Sequence, residues 1–376
     1  MQFRNLKEQY HRLKKEIDAE VISVMEESNF ISGYQVMELE KELAQYVGTK
    51  YCVTCANGTD ALQLALMAWN IGVGDAVFVP DFTFFSSGEV VKMVGATPIF
   101  VDIDELTYNI DTVKLENAIQ KVQKEGKLIP KVVIAVDLFG QPAEYCQISK
   151  IAKKYNLYVL EDGAQGFGGR INEKKACSFG DISTTSFFPA KPLGCYGDGG
   201  AIFTDDKDIA EMLYSLRIHG KGKNKYDNIR IGLNSRLDTI QAVVLQVKLK
   251  AFREYELDAV NEIAKQYTEN LKGFVQTPTV LENYYSSWAQ YCIVLKNKEE
   301  RDALKKHLEK NEIPSNIYYP KPMHYQEAFV PYTFEEKYDV TEKVCKTILA
   351  IPISPYITIE EVKKVIDKIT ECLIHK

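Results

Sequence analysis

The sequence predicts an α/β protein with a mostly parallel sheet covered on both faces, followed by a smaller α+β domain. Between residues 51 and 205, short β-branched or apolar runs alternate with helix-like segments. After Arg236 an apolar-striped segment leads out of that region, and the chain then changes texture, with a Tyr-rich stretch from Tyr284 to Val294. The whole has 376 residues, 45% of them hydrophobic, enough for two domains each with a core.

Taken in order, Asn5 to Glu27 carries Leu6, Tyr10, Leu13, Ile17, Val21 and Met25 at helical spacing and predicts an amphipathic leader helix. Strands are expected at Ala76 to Val79, Thr97 to Asp102, Lys131 to Asp137, Leu157 to Glu161, Ile182 to Phe187 and Ala201 to Thr204. Between them, Ala61 to Trp69, Ser87 to Val94, Thr112 to Lys124 and Tyr145 to Tyr155 read as helices. Ile240, Val243, Val244, Val247, Leu249 and Phe252 predict a long helix, and Ile359 to Leu373 a closing one. The domain boundary is expected near residue 250, inside a helix, dividing the chain into 1–250 and 251–376.

Charge and segment composition exclude several classes. Lys and Arg number 46 against 52 Asp and Glu, a formal net charge of −6, which argues against a phosphate-backbone partner and so against nucleic acid. No signal-peptide apolar core follows Met1 to Tyr10, and runs such as Val132 to Val136 are far shorter than the roughly 18 residues a membrane helix needs. A cytoplasmic protein is expected. The eight cysteines are scattered as reduced thiols would be; Cys52 and Cys55 have zinc-like spacing but no second pair, so no metal is expected.

Three segments carry chemistry. In Ser183 to Gly197, Lys191 is the one charge, set between Pro189 and Pro192 after a strand of hydroxyls and aromatics. Most lysines are solvated surface groups, but one held in such surroundings loses its proton more easily and can attack a carbonyl to form a Schiff base. The apolar strand from Leu157 ends in Glu161 and Asp162, at the carboxyl edge where open α/β sheets bind ligands. Alone, Asp162 reads as a turn acid before a glycine loop; beside a Schiff-base lysine it reads as the partner of a cationic ring nitrogen, the pair pyridoxal phosphate requires. Asn57-Gly58-Thr59-Asp60 opens a helix whose free N–H groups can cradle a phosphate, to which Ser186 can add a hydroxyl. No Gly-x-Gly-x-x-Gly follows a strand, and no Gly-x-x-x-x-Gly-Lys-Ser/Thr occurs.

Ile31 to Glu40, Asn57 to Leu62, Glu161 to Gln165, Ser186 to Lys191 and Gly232 to Gln241, in that order, resemble the DegT-type sugar aminotransferases over nearly the whole chain. The nearest group is the enzymes that aminate UDP-2-acetamido-2-deoxy-3-oxo-glucuronate. The resemblance implies the type I aminotransferase fold and pyridoxal 5'-phosphate. It implies that Lys191 holds the cofactor as an internal aldimine and shuttles the substrate proton, that Asp162 keeps the ring nitrogen protonated, that Gln165 contacts the ring or its 3-hydroxyl, and that Phe84 stacks on the ring. Gly58, Thr59 and Ser186 would hold the phosphate, joined by Asn234 from a second subunit, in a homodimer with shared sites. Glutamate would be the donor and a nucleotide-linked ketosugar for surface polysaccharide the acceptor, with Arg230, in the basic loop His219 to Arg230, near a substrate anion. In one place the pattern breaks: a His-Tyr-Pro segment that in the nearest group helps hold the nucleotide sugar reads Tyr318-Tyr319-Pro320 here, so the resemblance implies substrate-binding roles for Tyr318 and Tyr319 but with a phenol in place of a potential cation. A smaller phosphorylated ketone is therefore a second candidate acceptor, and a regulatory protein that binds the cofactor without turnover is the reading outside catalysis.

Overall fold

A computed structural model describes residues 1–224, 226–332 and 336–374. The chain opens with α1 (Leu6–Glu27), capped by the Asn5 side chain, which accepts from the Glu8 N–H, and α2 (Tyr34–Val47). The sheet region follows: β1 (Tyr51–Cys55), α3 (Gly58–Ala68), β2 (Asp75–Pro80), α4 (Ser86–Met93), β3 (Thr97–Val101), α5 (Thr112–Glu125), β4 (Ile129–Val136), α6 (Tyr145–Tyr155) and β5 (Tyr158–Asp162). A short hairpin of β6 (Arg170–Ile171) and β7 (Lys174–Lys175) precedes β8 (Ile182–Ser186), β9 (Gly200–Thr204) and α7 (Lys207–Leu216). Each strand expected from the sequence forms within a residue or two of its expected ends. Two helices and a strand not anticipated there, α2, α7 and β1, complete the layer.

The seven-stranded sheet has the order β1-β9-β8-β5-β4-β2-β3. Its pairings are parallel from β8 through β3, and β9 runs antiparallel to both its neighbours, so "mostly parallel" holds with one reversed strand. Alternation along β4 shows why both faces are covered. Val132, Ile134 and Val136 enter the core beneath α3 and α4, whereas Val133 and Ala135 enter the core beneath α5 and α6. The same period of two separates the adjacent acids at the end of β5. Glu161 accepts hydrogen bonds from the N–H groups of Cys177 and Phe179 and from the Ser183 hydroxyl, leaving Asp162 to bond Ser87 of α4.

The exit helix α8 (Thr239–Ala251) continues through a π-helical turn at Phe252–Glu256 into α9 (Leu257–Leu271). The last part holds β10 (Tyr284–Tyr285), which pairs with β6, then β11 (Tyr291–Val294), α10 (Lys298–Lys310), α11 (Asp339–Thr347), β12 (Ile348–Ile351) and α12 (Ile359–Ile374). β11 pairs antiparallel with β12, and a core of its own gathers residues between Val260 and Ile369. Among the described residues no helix is long and apolar enough to cross a membrane.

Candidate active site

Several loops at the carboxyl edge of the sheet surround a cavity of about 930 Å³. Its phosphate-sized end is the start of α3. Asn57 caps that helix by accepting from the Asp60 N–H at 2.8 Å, which leaves the first-turn N–H groups of Gly58 and Thr59 facing the cavity. Ser186, the last residue of β8, sits against Gly58 so closely that a Cβ there would lie 2.6 Å from the serine Cβ. Glycine is therefore a steric requirement of this corner.

Asp162, 5% exposed, is held by two donors: the Ser87 hydroxyl at 2.8 Å to Oδ2 and the Ala164 N–H at 3.2 Å to Oδ1. Ser87 is in turn 3.0 Å from the Thr83 hydroxyl. Burial pushes this carboxyl above its ordinary range, against the pull of Ser87 and the Lys191 charge. An acid so placed gains most from a cationic partner.

Lys191 enters from a loop closed by its own N–H donating to the Phe188 carbonyl at 2.8 Å. Burial lowers its proton affinity first, Arg4 lowers it further and Asp162 opposes both. The net effect is a proton held less tightly than on a solvent-exposed lysine, a shift toward the form that attacks a carbonyl.

Gln165 makes two fixed bonds: Oε1 accepts from the Phe139 N–H at 2.8 Å, and Nε2 donates to the Tyr319 hydroxyl at 3.1 Å. It thereby ties the sheet edge to the Tyr318-Tyr319 segment. Phe84 stands half open at 53% exposure, its ring 6.3 Å from that of Tyr319, an aromatic surface available to a flat ligand.

Nine of the residues expected from the sequence thus line one cavity: Gly58, Thr59, Phe84, Asp162, Gln165, Ser186, Lys191, Tyr318 and Tyr319. Arg230 and Asn234 do not join them within one chain. Asn234 is exposed and forms an isolated bridge with Ile218, while Arg230 lines a separate outer groove with His219, Lys221 and Asn228. Lys225 of the same basic loop lies outside the described residues. Cavity residues that sequence reasoning passed over are Ser86, Asp198, Gln290 and Lys321, together with Ser87, which reaches Asp162 from the next helix. Asp198 flanks the lysine segment and Ser87 opens a helix, so both carried a local signal; Gln290 and Lys321 had none.

This fold and cavity suit an aminotransferase, and comparison with known proteins identifies both the class and the family. Residues 11–370 match the DegT/DnrJ/EryC1/StrS aminotransferase family, to which the chain belongs. It is 41% identical to the UDP-2-acetamido-2-deoxy-3-oxo-D-glucuronate aminotransferase of Pseudomonas aeruginosa, over 96% of this chain and 98% of that one. The crystal structure of a DegT/DnrJ/EryC1/StrS aminotransferase from Brucella abortus superposes with a TM-score of 0.97 at 46% identity, covering 99% of each chain. The NtdA structure from Bacillus subtilis, with bound pyridoxamine phosphate, superposes with a TM-score of 0.87 at 29% identity over 96% of this chain and 82% of that one.

Proposed function

We propose that this aminotransferase uses pyridoxal 5'-phosphate to move an amino group from glutamate to the keto group of a nucleotide-linked ketosugar, in the building of surface polysaccharide. The observation that carries the reading is that Lys191 and Asp162 face one cavity whose far corner is the open start of α3. The fit to the cofactor rests on three features: a corner that only glycine allows at 58, a buried acid raised by burial, and an amine with lowered proton affinity.

Bound there, the cofactor supplies an electron sink for the carbon that exchanges its nitrogen. The protein's residues do the rest. Gly58 and Thr59 N–H groups and the Ser186 hydroxyl hold the phosphate. Asp162 would hold a proton on the ring nitrogen, and Ser87 fixes the carboxylate that would do so. Phe84 covers the ring, and Gln165 orients Tyr319 beside it. Lys191 would hold the cofactor covalently, the link that divides one difficult transfer into two easier halves, and its Nζ would carry the proton that moves in each half.

Substrate recognition in this reading needs a second copy of the chain. Ile229 and Ile231, at 61% and 88% exposure, flank Arg230 on the outer loop, a placement suited to burial against a partner. A homodimer that carries this loop to the neighbour's cavity sets Arg230 near a substrate anion and Asn234 near the cofactor phosphate. The separate core between Val260 and Ile369 supports a division into a large domain, 1–250, and a smaller one, 251–376.

The test uses purified enzyme converted by glutamate to its pyridoxamine form, followed by absorbance. A nucleotide-linked ketosugar that restores the original spectrum supports the reading. Restoration by small keto phosphates alone replaces the acceptor, as the phenol at Tyr318 would permit. Restoration by none replaces catalysis with cofactor binding.

A further inference from the structure

Lys191 has a second side. Behind it lies a small space of about 20 Å³ lined by Arg4, Gln9, Lys191, Glu256, Ser354 and Tyr356, among others. That is room for one water. One of its walls is unsatisfied: Gln9 is 6% exposed, and its Oε1 is buried without a hydrogen-bond partner. The other end of the same amide is fixed, with Nε2 donating to Glu256 Oε1 at 2.8 Å. The Tyr356 hydroxyl donates to that same oxygen and lies 3.1 Å from the Tyr255 hydroxyl. Glu256 reaches this point from the π-helical turn, a feature that recurs where a helix is bent to place a functional group.

Arg4 closes the space from the segment before α1. Its Nη1 donates to the Ala289 carbonyl at 3.0 Å, and its charge faces Glu256 and Tyr318. The preceding Phe3 packs edge-on against Tyr318, centroids 6.3 Å apart. The first residues of the chain therefore line the space beside the lysine and pack against Tyr318 of the cavity.

We propose that this space is a resident-water site and that Arg4, through it, is a positioning residue backing the Lys191 amine on the side away from the cofactor. The inference rests on the reading of Lys191 as the catalytic lysine. A buried carbonyl oxygen lacking a donor is costly, and a water bonded to Gln9 Oε1 removes that cost while presenting its remaining bonds to the lysine and the guanidinium. The guanidinium then opposes protonation of the amine from behind, as Asp162 favours it from in front. The other ionisable groups lining the two spaces are Asp60, Asp198, Tyr318, Tyr319 and Lys321 on the cavity side and Glu256 and Tyr356 behind, with the Lys248 charge felt by Glu256 and Arg4. Arg4, by contrast with Lys248 and Lys321, is a cation lining the rear space itself.

Two measurements test this. A crystal structure of the holoenzyme should show a water within hydrogen-bond distance of Gln9 Oε1; an empty space there overturns the proposal. In cofactor-free protein, competitive acetylation across a pH series, read at the Lys191 peptide by mass spectrometry, gives the pH midpoint of that amine. Arg4→Met should raise the midpoint, as removal of a nearby cation does, and Arg4→Lys should restore the wild-type value; Arg4→Gln carries the same expectation where Arg4→Met does not fold. A midpoint unmoved by loss of the cation overturns the proposal. If borohydride fixes the cofactor on Lys191 of the wild type and the midpoints still coincide, this inference alone fails; if it fixes another residue, the reading beneath it fails.

Discussion

The floor of the cavity and the loop that carries Arg230 are built on opposite plans. The floor is made from strand ends and a helix start, and its groups are buried, bonded and set by the sheet: Asp162 by Ser87 and Ala164, Gly58 by its contact with Ser186. The loop from His219 to Asn234 leaves apolar Ile229 and Ile231 in solvent and holds its arginine in a groove apart from the cavity. The difference teaches a division of labour. Nitrogen chemistry needs sub-ångström placement and falls to rigid elements; in the proposed reading, choice of acceptor falls to a surface that a second subunit would complete.

Substitutions in the two regions should separate accordingly. The largest effect falls on the floor: Lys191→Ala should lower turnover by about 10³-fold or more, since it removes both the covalent link and the proton carrier. Next, Asp162→Asn should lower turnover by about 10²-fold and yet stabilise the cofactor-free protein. Burial raises the Asp162 carboxyl above its unfolded value, so the folded state binds more protons and loses stability as pH rises through the range above the ordinary carboxylate value. At neutral pH the amide relieves that cost, and the thermal midpoint of the cofactor-free variant should rise by about 1–2 °C, an advantage that fades on acidification. A midpoint that falls at neutral pH would contradict the assignment of Asp162 as an acid held for a cationic partner.

On the loop, Arg230→Ala should raise KM for the acceptor by about tenfold with kcat less affected, as loss of one charge-assisted contact does. A drop in kcat with unchanged KM would move Arg230 into the chemistry and erase the contrast. The smallest effect is expected from Ser87→Ala, which leaves Asp162 one donor short; turnover should fall by only a few-fold, since about 1 kcal/mol attaches to one such bond.

How much of this was legible in the sequence follows the same divide. The strands from Asp75 to Thr204 carried a clear period, and the lysine and acid stood at their ends with local signals of glycine, proline and hydroxyls. β1 was not legible, because Tyr51–Cys55 is short and pairs with β9 some 150 residues away; nothing local marks such a partner. The reversed direction of β9 was hidden for the same reason. Ser87 reaches Asp162 across 75 residues, and Gln9 meets Glu256 across 247, contacts that only the assembled fold creates. Arg230 and Asn234 carried a resemblance but no geometry: within one chain Arg230 lines a groove apart from the cavity and Asn234 only bridges Ile218.

The central claim is that one amine, that of Lys191, carries the cofactor. Borohydride reduction of the holoenzyme followed by peptide mass spectrometry tests it most directly. The account predicts a pyridoxyl adduct on the peptide containing Phe188 to Gly194, at Lys191 alone; an adduct at another lysine, or none in protein that retains the cofactor, would contradict it.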